Sequence, residues 1–221
     1  MNFLNFKGIC NICIEGIRRH PKEYSLSTLP SAPPSDIVEK LMSFYETSTI
    51  VGKRNTTILA LLSVYGSRTS EIVRLKLKDI DWDKRQLCFS QVKNGRLQTI
   101  PLAPYVYNLL IDYILNGRDN TRKVEEVFIT SFMPYKSLTR SCIYKIVSDA
   151  YKGLKIPINI KHFGGHSLRH ACASHLVNNR VPLKEIGDIL EHRLQDTTRI
   201  YSKIDIANLR KVSQMEWEVK L

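Results

Sequence analysis

The sequence predicts a mainly α-helical domain carrying one small antiparallel β-sheet, an α+β fold. Three observations lead there. Apolar residues recur at helical spacing through most of the chain. One region, "QLCFSQVKNGRLQTIPL" (86–102), instead sets two β-rich runs around Asn94-Gly95, a dipeptide that favours hairpin turns. Gly and Pro fall where such helices would stop or start, as at Gly66 and Pro182.

The elements follow in order. Residues 1–20 place Phe3, Phe6, Cys10, Cys13 and Ile17 on one helical stripe. The Pro- and Ser-rich stretch "HPKEYSLSTLPSAPPS" (20–35) predicts an extended linker. Ser35 and Asp36 are candidate caps of a helix bearing Ile37, Leu41 and Phe44 on one face. "KRNTTILALLSVY" (53–65) is nearly all apolar after Thr57, which predicts a buried helix stopped by Gly66. A short helix is expected from Thr69 through "SEIVRLKL", then the strands. Helices are expected near 104–116 and 137–152, with "EEVFIT" (125–130) extended between them. From Ser167, the residues Leu168, Ala171, Cys172, His175 and Leu176 have helical spacing. "PLKEIGDIL" (182–190) is a further helix, and Asp196 can cap one that carries Tyr201. The tail puts Ile206, Leu209, Val212 and Trp217 roughly on one side.

Composition narrows the partners. The 221 residues include 33 Lys and Arg against 21 Asp and Glu, a net charge of +12. Such a balance points to a polyanion, nucleic acid before an anionic membrane surface. No apolar run approaches the roughly 20 residues that span a bilayer, and the N-terminal stretch is not patterned as a signal peptide. The expectation is a cytoplasmic protein. Five cysteines, an odd number set mostly in apolar patterns, suit reduced thiols better than a disulfide framework. Cys10 and Cys13 form a lone CxxC, half of what a structural zinc site needs.

"GGHSLRHACASHL" (164–176) concentrates the chemistry. His162, His166 and His170 are each four apart, the spacing of a helical metal site. Gly164-Gly165 interrupts that helix, and Arg169 would repel a cation. The better reading is anionic. His166 stands at a helix start, where backbone N–H groups favour anions, and Arg169 follows on the same side with a planar fork that matches phosphate. No metal and no organic cofactor is expected.

Five stretches then fall in one order: "GSRTSEIVRLKLKDIDW" (66–82), "VKNGRLQTIPL" (92–102), "HSLRHACASHL" (166–176), "LEHR" (190–193) and "DTTRIYSK" (196–203). In order and spacing the chain resembles the tyrosine recombinase, or phage integrase-type, family across about residues 35–205. The resemblance implies that family's catalytic-domain fold over 35–205. It implies that 1–34 are the last helix and linker of an N-terminal core-binding domain, and that 206–221 form a tail helix exchanged between protomers. It also implies the site: Arg68 in Gly66-x-Arg68-x-x-Glu71, Lys93 on the hairpin, His166 and Arg169, His192, and the nucleophile Tyr201 nine residues later. Glu191 departs from the family, which usually has glycine before that last histidine.

The implied reaction is metal- and ATP-independent DNA strand exchange through a 3′-phosphotyrosine, on double-stranded DNA and in a synaptic homotetramer, for a mobile element or a chromosome. Two rivals stand beside it. One is a DNA-binding remnant that docks without cutting, motivated by Glu191 and the short N-terminal region. The other is a type IB topoisomerase, against which the length and motif phrasing argue. His170 and His175 are expected to be helix or core residues, and Glu71 to orient the site.

Overall fold

The computed structural model describes residues 32–90, 97–119, 124–156, 164–182, 185, 186 and 190. The expected N-terminal helix, Lys93, His162, Glu191, His192, Tyr201 and the tail helix lie outside the described residues. The described elements run α1 (Ser35–Met42), α2 (Ile50–Val64), α3 (Thr69–Arg74), a 3-10 turn (Leu77–Asp79), β1 (Ile80–Asp81), β2 (Gln86–Ser90), β3 (Leu97–Pro101), α4 (Pro104–Asn116), α5 (Arg140–Gly153) and α6 (Gly165–Asn178). This is the predicted fold class: helices around one antiparallel sheet of order β1-β2-β3.

α2 is the axis of the fold and packs against α1, α3, α4, α5 and α6. It is buried continuously from Arg54 to Ser63, as its apolar run predicts. It begins three residues before the expected start because Thr49 caps it: the Thr49 hydroxyl accepts from the Gly52 N–H at 3.0 Å. Its polar first half is buried too, which apolar periodicity does not foretell. The Arg54 guanidinium donates to the Ile129 carbonyl at 2.9 Å and to Asn55 Oδ1 at 3.1 and 3.2 Å. Those partners are what make a buried cation tolerable.

Two helix starts correct the sequence expectation. α1 is entered from Pro34, with φ −58° and ψ 158°, and has no side-chain cap. Ser35 and Asp36 therefore lie inside the helix rather than capping it. α5 starts at Arg140 rather than 137, because the Thr139 hydroxyl accepts from the Cys142 N–H at 3.3 Å. α4 keeps its expected limits, with Pro104 in its first turn and Gly117 after its end.

The hairpin pairs β2 with β3 in the register Leu87↔Ile100, Cys88↔Thr99 and Ser90↔Leu97. Its far end is tied to α2. The Tyr65 hydroxyl donates to the Pro101 carbonyl at 3.1 Å and accepts from the Ala103 N–H at 2.7 Å. The expected extended piece at 125–130 forms bridges, not a full strand: Lys76 pairs with Glu126 and Ile129 with Ser137. Buried Arg118 braces it, donating to the carbonyls of Val124, Glu126 and Val127 at 2.6–3.1 Å. Among the described residues no helix is long and apolar enough to cross a membrane.

Candidate active site

The site is assembled where three chain segments end. α2 stops at Tyr65, and Gly66 follows at φ +57°, in the left-handed region that glycine enters at least cost. A side chain here would also collide: a Cβ on Gly66 would lie 2.7 Å from Leu190 Cδ2 and 3.3 Å from the Cys172 Cβ and Sγ. The turn delivers Arg68 to the start of α3. There the Glu71 carboxylate accepts from both the Arg68 backbone N–H, at 2.7 Å, and the Arg68 guanidinium, at 2.6 Å. The pair is partly exposed, at 34% for Arg68 and 23% for Glu71. One carboxylate thus holds the helix start and aims the arginine, the orienting role expected of Glu71.

α6 begins at Gly165, so His166 lies in its first turn and the double glycine marks a helix start. The helix includes both His166 and His170, whose ring centroids are 6.5 Å apart. His166 is exposed. Arg169 is not: it is 8% exposed and turned inward. Its Nη1 donates to the Gly66 carbonyl at 2.6 Å, and its Nη2 donates to the Leu190 carbonyl. Sequence spacing put His166 and Arg169 on one side of a helix; tertiary packing gives one to solvent and the other to two carbonyls. Beside Arg169, burial pushes the Cys172 thiol up to about 11, against the pull of the Arg169 charge. The thiol therefore stays neutral at pH 7.

The carbonyls that receive Arg169 belong to residues two before Arg68 and two before His192. Arg169 therefore joins the Gly66 turn to the segment that leads toward residues 191–201. Between the described residues of the 182–190 stretch, the Ile186 N–H donates to the Pro182 carbonyl at 3.0 Å, and the Leu190 N–H to the Ile186 carbonyl at 2.9 Å. Neither carbonyl contact was visible in the sequence. The nearest signal was Gly66, read only as a helix stop. His175, placed on the apolar stripe by spacing, is exposed at the far end of α6. Among the described residues no group of three or more His, Cys, Asp or Glu converges as a metal site would require.

Residues 34–207 match the phage integrase family. The chain belongs to that family. Its integrase/recombinase-named relative y4rA, from Sinorhizobium fredii, is 33% identical over 191 residues, covering 86% of this chain and 46% of that protein. The tyrosine recombinase XerD of Listeria innocua is 32% identical over 191 residues, covering 84% of this chain and 62% of that protein. The chain thus spans about half the length of the first relative and under two thirds of the second. Among solved structures, the post-cleavage complex of the XerH site-specific recombinase with palindromic difH substrate superposes with a TM-score of 0.76 at 22% identity, over 93% of this chain and 58% of that one. That likeness shows the fold: this family member has the architecture of tyrosine recombinase catalytic domains.

Proposed function

We propose that the chain is a tyrosine-type site-specific DNA recombinase that cleaves and rejoins DNA through a covalent 3′-phosphotyrosine, with no metal and no ATP. Membership of the phage integrase family supports this reading, and one observation carries it to named residues. Arg169 gathers the Gly66 turn before Arg68, the helix of His166 and the Leu190 turn before His192 about one guanidinium. Three of the six residues the chemistry needs, Arg68, His166 and Arg169, lie on those segments, and His192 follows Leu190 by two residues in sequence.

The steps balance without a cofactor. The Tyr201 oxygen attacks a DNA phosphorus, forming an O–P bond as the bond to the 5′-oxygen breaks. Tyrosine has an unperturbed pKa of about 10, so roughly one in a thousand is ionised at pH 7. His166 takes the proton. Negative charge grows on the phosphoryl oxygens; Arg68 neutralises it by contact, Arg169 adds its positive charge from behind the Gly66 and Leu190 carbonyls, and His192 donates a hydrogen bond. Lys93 gives a proton to the departing 5′-oxygen. The phosphotyrosine keeps the energy of the phosphodiester, so a second 5′-hydroxyl can reverse the reaction onto a new partner. The partner is double-stranded DNA, the working assembly a homo-oligomer on it, and the compartment the cytoplasm.

The experiment is a nicked suicide duplex, which traps the covalent complex by losing its 5′-hydroxyl fragment. The wild-type chain gives a covalent protein–DNA band and Tyr201→Phe gives none. A wild-type chain that binds DNA at low salt yet forms no band on any duplex returns the alternative, a remnant that docks without cutting. A band that requires added divalent metal overturns the mechanism.

A further inference from the structure

α6 opens on two glycines with no side-chain cap, yet its first turn is held on three sides. From within the helix, the Ser167 hydroxyl donates to the Gly164 carbonyl at 2.8 Å. A hydroxyl carries one proton and a carbonyl only accepts. The Tyr151 hydroxyl on α5, 3.2 Å from Ser167 Oγ, is therefore the donor in that second bond. Both side chains are 2% exposed. Burial raises the Tyr151 pKa, which keeps its proton in place. The chain of donors runs Tyr151 to Ser167 to the Gly164 carbonyl, two residues before His166.

From the α3 side the contact is steric. A Cβ on Gly165 would lie 2.6 Å from Thr69 Cγ2 and 3.1 Å from Leu62 Cδ2. From the remaining side, the Tyr144 ring would lie 3.0 Å from a Cβ on Gly164. Thr69 is the residue after Arg68, and Gly165 is the residue before His166. This contact between α3 and α6 thus joins the neighbours of the two groups that the proposed reaction must place around one phosphate. Interiors this tightly packed transmit small displacements rather than absorb them.

We propose that Thr69, Ser167 and Tyr151 are positioning residues that set His166 against Arg68, with Gly165 as their point of contact. The proposal rests on the recombinase reading and deepens it. None of the three need touch DNA. Ser167 and Tyr151 fix the backbone that enters α6, and Thr69 fixes how near that backbone comes to α3.

The test uses the full chain and the suicide duplex, with single-turnover cleavage, DNA affinity and thermal melting measured together. Ser167→Ala should slow cleavage at saturating DNA on the order of 10²-fold, the cost of a displaced catalytic group, and leave affinity unchanged. Ser167→Thr keeps the hydroxyl and should recover most of the rate. Gly165→Ala should slow cleavage, and Thr69→Ser added to it should recover rate, because it deletes the methyl that the new Cβ would meet. Tyr151→Phe, which removes one oxygen, serves where the other variants melt too low to assay. Ser167→Ala or Tyr151→Phe at the wild-type rate, affinity lost in parallel with rate, or no recovery by Thr69→Ser overturns the inference. A wild-type chain that forms no covalent complex overturns the recombinase reading and this inference with it.

Discussion

Two hydrophobic clusters hold the described part of the molecule, and they are unequal. The large one surrounds α2 and includes Leu41, Ile58, Leu61, Leu62, Tyr113, Phe128, Ile146 and Leu168. The small one has five buried side chains, Cys172, Ala173, Val177, Ile186 and Leu190. α6 belongs to both: Leu168 faces the first, and Cys172, Ala173 and Val177 face the second. Arg169 stands between them in sequence and bonds to the carbonyl of Gly66, just past α2, and to that of Leu190, in the small cluster. The large cluster sets Arg68 and the start of α6. The small one holds the approach to the segment that carries His192 and Tyr201. Most of the buried apolar side chains and the approach to the segment of the proposed nucleophile therefore lie in different places.

The comparison breaks first at Arg169. Arg169→Ala should lose about 3 kcal/mol of transition-state stabilisation, the order of magnitude of one preorganised electrostatic group at a developing oxyanion. It should also lose about 1–3 kcal/mol of folding stability, since two buried carbonyls lose their donor. Single-turnover cleavage and denaturant melts measure the two losses separately. A melt identical to wild type would mean that Arg169 does not bridge the clusters.

The next effect compares the clusters directly. Leu61→Ala, at a fully buried position of the large cluster, should cost about 2–5 kcal/mol of global stability. Ile186→Ala, equally buried but in the small cluster, should fall near about 2 kcal/mol, because fewer neighbours line the cavity. Its cleavage rate should drop more than its stability explains, whereas Leu61→Ala should follow its melt. Equal behaviour of the two variants would erase the distinction.

The smallest effect lies in the large cluster alone. The Tyr45 hydroxyl donates to the Ile146 carbonyl at 2.7 Å, and burial, helped by the nearby Asp149 charge, raises its pKa to about 12. The folded state therefore holds this proton more tightly than the unfolded state, whose tyrosine titrates near about 10. The contribution is complete below about pH 10 and is lost as pH climbs toward about 12. Tyr45→Phe should cost about 1 kcal/mol at neutral pH. It should also flatten the alkaline limb of a stability-versus-pH curve, with no change in DNA cleavage at neutral pH.

Much of the fold was legible because its signals are local. α2 announces itself as a nearly all-apolar run after Thr57, α4 by Pro104 and Gly117, and the hairpin by two β-rich runs about Asn94-Gly95. Helix starts were less legible. At α2 and α5 the threonine cap lies next to residues that apolar periodicity does not flag. Of the candidate site, Arg68, His166 and Arg169 could be named from motif order, and Glu71 from its spacing to Arg68. Their surroundings could not. The acceptors of Arg169 lie 103 and 21 residues away in sequence, and a backbone carbonyl looks the same at every position.

The sequence by itself determined the fold class, the basic character and the family, through five motifs in order that no single motif could match in specificity. It also marked Gly66 as a helix stop and Gly164-Gly165 as a helix interruption, without showing the contacts at Gly66 and Gly165. Only the tertiary structure decided those: a left-handed turn pressed against Leu190, and a helix start pressed against Thr69. It likewise decided that Arg169 turns inward while His166, three residues before it, faces outward. The physical reason is that periodicity reports which face of an element is apolar. Which polar group finds which carbonyl depends on how the elements pack, and that is settled only when the chain has closed around α2.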